Sequence, residues 1–220
     1  HSNTIVNGIS RIGFMQGGKS AEWVDEDFYQ IFTNKANAFI SANSNKPFFL
    51  FFSFHDIHVP RLPAQQFLGK SDLGIRGDAI VQMDYITGQV TKHLQKLDLL
   101  DNTIIVFTSD NGPVLNDGYM DEAVQKNGKH QPAGPFRGGK YSAYEGGTRV
   151  PTILHYPKKV KPGISDSLMS QVDFFASFAA LLNIDLDPLH AIDSENHINA
   201  WLDASKNGRT ILMEEAYTLS

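Results

Sequence analysis

The sequence predicts an α/β fold, a sheet flanked by helices, on three observations. Two apolar runs, 48–54 and 103–107, have the length of strands, and polar residues follow each at once. Helical periodicities precede and separate these runs. The resulting order of strand, helix, strand, long loop, strand and helix is that of a sheet with helices on its faces. Unbroken apolar runs also point to strands buried on both faces, as in parallel sheets.

Residues 1–24 are polar and glycine-rich without a sustained period and are read as an irregular opening stretch. The core is placed at 25–182. Asp25-Glu26-Asp27 should open a helix, because acids in a first turn complement the helix dipole. Phe28, Ile31, Phe32, Lys35, Phe39 and Ile40 then trace one mostly apolar face, and Asn43 to Pro47 ends it. The run 48–54, interrupted only by Ser53, is expected to be a buried strand. The clearest helix is 78–97, where Ile80, Met83, Thr87, Val90, Leu94 and Leu97 recur at steps of three and four. Asp101-Asn102 turns the chain into the second strand, and 114–147 is a long loop region rich in Gly and Asp. A third strand at Val150–His155, a helix at Gln171–Leu182 and a short strand at Ile211–Met213 complete the pattern. Residues 183–220 are read as the start of a C-terminal region, and the chain as one domain.

Composition narrows the function. The net charge is −5 and no stretch concentrates Lys and Arg, which argues against nucleic acid as a partner. No apolar run approaches the roughly 18 residues of a membrane helix. The absence of cysteine removes disulfides, thiolate metal sites and a cysteine nucleophile. The chain begins at His1 rather than Met, so sequence upstream is expected.

Three polar clusters carry the chemistry. His55-Asp56-Ile57-His58 follows the first strand; its histidines can ligate metal, donate to an anion or move a proton near neutral pH, or be plain loop residues. Asp110-Asn111 ends the second strand, at the edge where open α/β sheets bind ligands, and offers hard oxygens suited to Ca²⁺ or Mg²⁺. The same Asn-Gly-Pro is also ordinary turn chemistry. In the third cluster, Gly138-Gly139 lets backbone approach a ligand and Lys140 supplies a compact positive charge, although a solvated glycine-rich loop reads the same way. Cation, histidine and lysine together would suit a tetrahedral anion such as sulfate or phosphate, stabilising charge as an ester breaks. His93, His130 and His190 are left as surface residues.

A rival motif is Gly13–Ser20, which fits the phosphate-loop pattern GxxxxGK[ST], with the run ending at Asp110 as its metal-binding strand. The preceding stretch, Val6 to Ile12, is too polar for a buried strand. Glu22 and the acids at 25–27 would also crowd like charge near a triphosphate.

In order and spacing, Phe48 to Pro60, Phe107 to Pro113, Arg137-Gly138-Gly139-Lys140 and Tyr144 to Pro151 resemble the arylsulfatase family. The likeness runs across 47–182, and Gly208 to Glu215 is similar to the family's continuation. The resemblance implies an alkaline-phosphatase-like α/β sheet flanked by helices, here incomplete, and hydrolysis of sulfate esters around Ca²⁺, with Mg²⁺ the alternative. By position, Asp110 and Asn111 match two metal ligands, His58 the histidine that contacts the sulfate and assists the leaving oxygen, and Lys140 the sulfate-binding lysine. His55 receives no role. The substrate implied is a sulfate-ester small molecule or a sulfated carbohydrate, in a periplasmic, secreted or lysosomal setting.

The family's nucleophile, a formylglycine made within C/S-x-P-x-R, has no match in this sequence. The chain therefore resembles the C-terminal portion of a longer sulfatase, with the formylglycine expected in an N-terminal half and the C-terminal subdomain unfinished. Two protein ligands would hold a cation weakly, and the chain alone should turn nothing over. An incomplete sheet also leaves an edge that invites self-association, and oligomeric state stays open. The alternatives are a phosphoesterase of the same superfold and a catalytically dead anion-binding domain.

Overall fold

A computed structural model describes residues 24–187 and 189–216. The motif Gly13–Ser20 and most of the opening stretch lie outside the described residues. The chain divides into two compact units, His1–Leu100 with Val114–Pro132, and Asp101–Pro113 with Ala133–Ser220. Helices with a two-stranded sheet make this an α/β chain.

In the first unit, a 3₁₀ turn at Asp25–Asp27 runs into helix α1, Phe28–Ala42. Helix α2 spans Gly74–Lys96 and packs against α1, with Ser41 Oγ 2.8 Å from His93 Nε2. Their buried apolar residues are Ala36, Ile40, Ala79, Ile86 and Leu94, and each large one contributes about 1.5–3 kcal/mol of transfer free energy. The buried faces differ from those the apolar periodicity predicts. On α1, Thr33 and Ala36 are buried, whereas Ile31, Phe32 and Phe39 stay exposed. On α2, the polar Asp78 and Gln82 are buried because they satisfy loop backbone: Asp78 accepts from Gly69 N and Ser71 N, both at 2.8 Å. The α2 terminus forms a Schellman motif in which Asp98 is left-handed (φ 56°) and Leu99 N donates to Leu94 O at 2.9 Å.

The expected strand at 48–54 is not formed among the described residues. Its side chains alternate between half-buried and exposed, with Phe49 at 72% and Phe51 at 80%. The run thus has a strand's two-residue period without a ladder to any described strand, because a strand needs a backbone partner as well as apolar side chains.

The second unit holds the sheet. Strand β1, Ile105–Thr108, pairs with β2, Thr152–His155, in register Ile105↔His155 to Thr108↔Thr152. The pairing is antiparallel, which corrects the parallel expectation, and β1 is half-buried rather than buried on both faces. Helix α3, Glu145–Thr148, is one turn inside the long loop region. A 3₁₀ turn at Gln171–Asp173, with Ser170 Oγ accepting from Val172 N, leads into α4, Phe174–Leu181. This helix ends in a second Schellman motif, with Asn183 at φ 55° and Ile184 N donating to Ala179 O at 2.9 Å. Residues 211–213 form no strand; an isolated bridge joins Leu168 and Arg209 instead. Helix α5, Ile198–Leu202, is too short for its period to be read, and Trp201 packs on Phe174 with ring centroids 4.7 Å apart. Among the described residues, no helix is long and apolar enough to cross a membrane.

Candidate active site

In the second unit, backbone hydrogen bonds lace the turn after β1 to the glycine-rich loop. Gly112 N donates to Gly147 O at 2.7 Å, and Lys140 N donates to Pro113 O at 2.9 Å. Gly146 N reaches Arg137 O at 2.8 Å, closing the loop on itself. Such proximity demands glycine. A Cβ on Gly112 would overlap the Gly146 carbonyl, and one on Gly139 would lie 2.5 Å from Pro113 O. Ser142, buried at the centre, donates its hydroxyl to Gly139 O at 2.8 Å. Gln171 Nε2 donates to Ser109 O, which ties the start of the fourth helix to the residue before Asp110.

This knot brings Asp110, Asn111 and Lys140 into one backbone assembly. Asp110 is exposed, and its carboxylate engages no partner among the described residues. Asn111 spends Nδ2 on Gly112 O at 2.9 Å, which leaves Oδ1 as its acceptor for a ligand. Adjacent hard oxygens of this kind fit a divalent cation such as Ca²⁺, but as part of a ligand set. Among the described residues, no group of three or more His, Asp or Glu side chains converges as a metal site. Lys140 is half-buried, with Nζ 5.4 Å from the Tyr141 ring centroid.

His58 belongs to the first unit. A carbonyl only accepts, so the 2.7 Å contact between His58 Nδ1 and Val59 O places the proton on Nδ1 and leaves the lone pair of the neutral ring on Nε2. His55 is a packing residue: its ring meets Phe28 edge-on at 4.7 Å and Phe32 at 5.8 Å between centroids. Burial lowers its pKa, with Asp56 and Asp25 opposing. His130 contacts Arg76 at 3.4 Å on the surface.

The bonds that brace the 56–64 loop join residues far apart in the sequence. Arg61 pairs with Asp121 sixty positions away, a separation that leaves no local signal. Asp56 accepts from Gln82 Nε2 at 2.6 Å, and Gln82 Oε1 in turn accepts from Ala64 N at 2.8 Å.

The sulfatase family model matches residues 4–184. An N-acetylgalactosamine-6-O-sulfatase of Bacteroides thetaiotaomicron is 52% identical over 215 residues, 98% of this chain and 42% of that protein. Human steryl-sulfatase is 34% identical over 173 residues, 78% of this chain and 29% of that protein. A solved structure, from work on the metabolism of multiple glycosaminoglycans by B. thetaiotaomicron, superposes with a TM-score of 0.86 at 54% identity. It covers 90% of this chain and 42% of its own. The chain thus spans less than half the length of the relatives it matches. With a family match over most of its length, on the segments that build the glycine knot and the His58 loop, the chain belongs to the sulfatase family.

Proposed function

We propose that this chain is part of a sulfuric ester hydrolase acting on a sulfated amino sugar. Both units belong to one sulfatase domain, as the family match running through both supports. Asp110 and Asn111 supply part of a Ca²⁺ site, Lys140 binds the sulfate oxygens, and Nε2 of His58 serves the leaving oxygen. The observation that carries this reading is the glycine knot, in which Gly112 and Pro113 bond to Gly147 and Lys140. It gives a pair of hard oxygens and a lysine one common backbone support. The substrate class rests on the 52% identity to the N-acetylgalactosamine-6-O-sulfatase, against 34% to the steryl enzyme.

The residues divide the work by charge. Lys140 offers a compact ammonium to the non-bridging sulfate oxygens, where charge grows as the ester S–O bond breaks. His58, with Nδ1–H held by Val59 O, presents Nε2, and when protonated gives its Nε2 proton to the departing sugar oxygen. A bound Ca²⁺ would stabilise the same developing negative charge. With no Cys and no Ser-x-Pro-x-Arg, the sequence supplies no formylglycine, so the 220-residue chain by itself should release no sulfate.

The test is sulfate release from 6-O-sulfated N-acetylgalactosamine by the longer protein carrying a C/S-x-P-x-R segment. Lys140→Ala should lower kcat by about 10²–10³-fold. Asp110→Ala should weaken Ca²⁺ binding in a calorimetric titration. No sulfate release from the complete protein, or activity unchanged in Lys140→Ala, would overturn the reading.

A further inference from the structure

Arg61 is held on three sides, with its side chain only 3% exposed. Its Nε donates to Ile57 O at 3.0 Å, one guanidinium nitrogen binds the Asp121 carboxylate, and the other reaches Val114 O at 3.3 Å. Asp121 is itself aimed, because its second oxygen accepts from Ala123 N at 3.1 Å. One planar group therefore fastens the backbone immediately before His58 to the 114–123 segment. The next residue back, Asp56, is fastened to helix α2 through Gln82 at 2.6 Å. Beyond His58, the Val59 carbonyl that fixes the imidazole proton lies two residues from Arg61.

We propose that Arg61 and Asp121 are positioning residues for His58. They hold the 57–61 loop so that the Nδ1–H to Val59 O bond persists and Nε2 stays aimed at the leaving oxygen. The proposal rests on the reading of His58 given above. A guanidinium suits the site because its three nitrogens serve three separate acceptors at once; an ammonium at this position keeps the charge near Asp121 but cannot reach Ile57 O and Val114 O together. A charge pair serving only stability would have no need to engage the carbonyl next to the reacting histidine.

A double-mutant cycle on the complete enzyme tests this, measuring kcat and KM on a 6-O-sulfated amino sugar. Arg61→Lys should lower kcat by about 10- to 100-fold with KM changed less than about threefold, as expected for a misaimed proton donor. In a His58→Ala background the same substitution should cost nothing further, because the residue it aims is gone. An equal loss in both backgrounds would overturn the proposal and leave Arg61 a stability residue. Unchanged turnover in His58→Ala alone would instead overturn the reading of His58, and the proposal with it. Should Arg61→Lys fail to fold, Asp121→Asn runs the same cycle. Independently, ¹⁵N NMR of the wild-type His58 ring should show one Nδ1–H tautomer, and a mixture there would overturn the proposal.

Discussion

The His58 loop and the Asp110–Lys140 knot are held by opposite means. The first depends on a buried charge pair, Arg61–Asp121, whose side chains are 3% and 11% exposed. The second depends on an absence of side chains, with Gly112, Gly139, Gly146 and Gly147 packed backbone to backbone. A charge pair holds its loop by direction, and it suffers when donors or acceptors are lost. A glycine knot holds by proximity, and any added atom strains it. The two regions should therefore fail under different substitutions.

Arg61→Ala should be the most damaging change. It removes the guanidinium from the Asp121 carboxylate and leaves the Ile57 and Val114 carbonyls without this donor. Breaking one side of a buried pair costs about 3–5 kcal/mol. Urea denaturation should show that loss, and a change below about 1 kcal/mol would mean the pair is hydrated and the contrast between the regions false.

Gly112→Ala ranks next. The new methyl meets the Gly146 carbonyl and the Gly147 Cα, backbone atoms that no rotamer change can move. Overpacking of this kind costs about 1–3 kcal/mol. If Asp110-Asn111 hold Ca²⁺ as proposed, the sharper readout is the Ca²⁺ affinity of the complete protein, which should fall with their displacement, whereas Arg61→Lys should leave it unaltered. Equal effects of both variants on Ca²⁺ binding would merge the two regions into one support.

How far each region can be read in a sequence follows from these means of support. A glycine doublet before a lysine, and Asp-Asn-Gly-Pro after an apolar run, are local signals that mark Asp110, Asn111 and Lys140 as candidates beside a plain turn or loop reading, and only the family resemblance gives them roles. Arg61 and Asp121 are sixty positions apart and look like any surface charges. Helix ends were readable for the same local reason: α2 and α4 end at Lys96 and Leu181, each within a residue of the expected end, before Asp98 and Asn183 take left-handed conformations. The 48–54 run carries a strand's local signal, but pairing is non-local: residues 105–108 meet 152–155, while the aromatic run has no ladder among the described residues. Periodicity likewise hid the buried roles of Asp78 and Gln82, whose loop partners lie outside α2.

The second unit also contains a charge network, set apart in kind from the knot. Arg209 grips the fully buried Asp173 through two bonds of 2.7 Å and reaches Glu195 at 2.8 Å. Burial raises the Asp173 pKa, but the Arg209 hydrogen bonds and Glu195 N–H outweigh it, so the net shift is downward. A carboxylate depressed in the folded state adds stability above its unfolded pKa, near 4, and loses it as pH falls through the folded value. Unfolding free energy measured between pH 6 and pH 2 should therefore drop at the acid end. Asp173→Asn should flatten part of that drop; an identical profile would show that Asp173 does not couple folding to pH.

The smallest effect belongs to a pair that resembles Arg61–Asp121 in chemistry alone. Arg149 and Glu145 lie four residues apart at 3.2 Å, but their side chains are 56% and 63% exposed. Water screens the attraction and both side chains lose rotamer freedom, so such pairs contribute about 0.3–0.5 kcal/mol. Arg149 also lies over the Phe136 ring at 4.7 Å, and that contact survives replacement of its acidic partner. Glu145→Gln should thus shift stability by no more than about 0.5 kcal/mol, and the shift should shrink in 1 M salt. A loss matching that of Arg61→Ala would mean that burial is not what separates a structural charge pair from a solvated one in this chain.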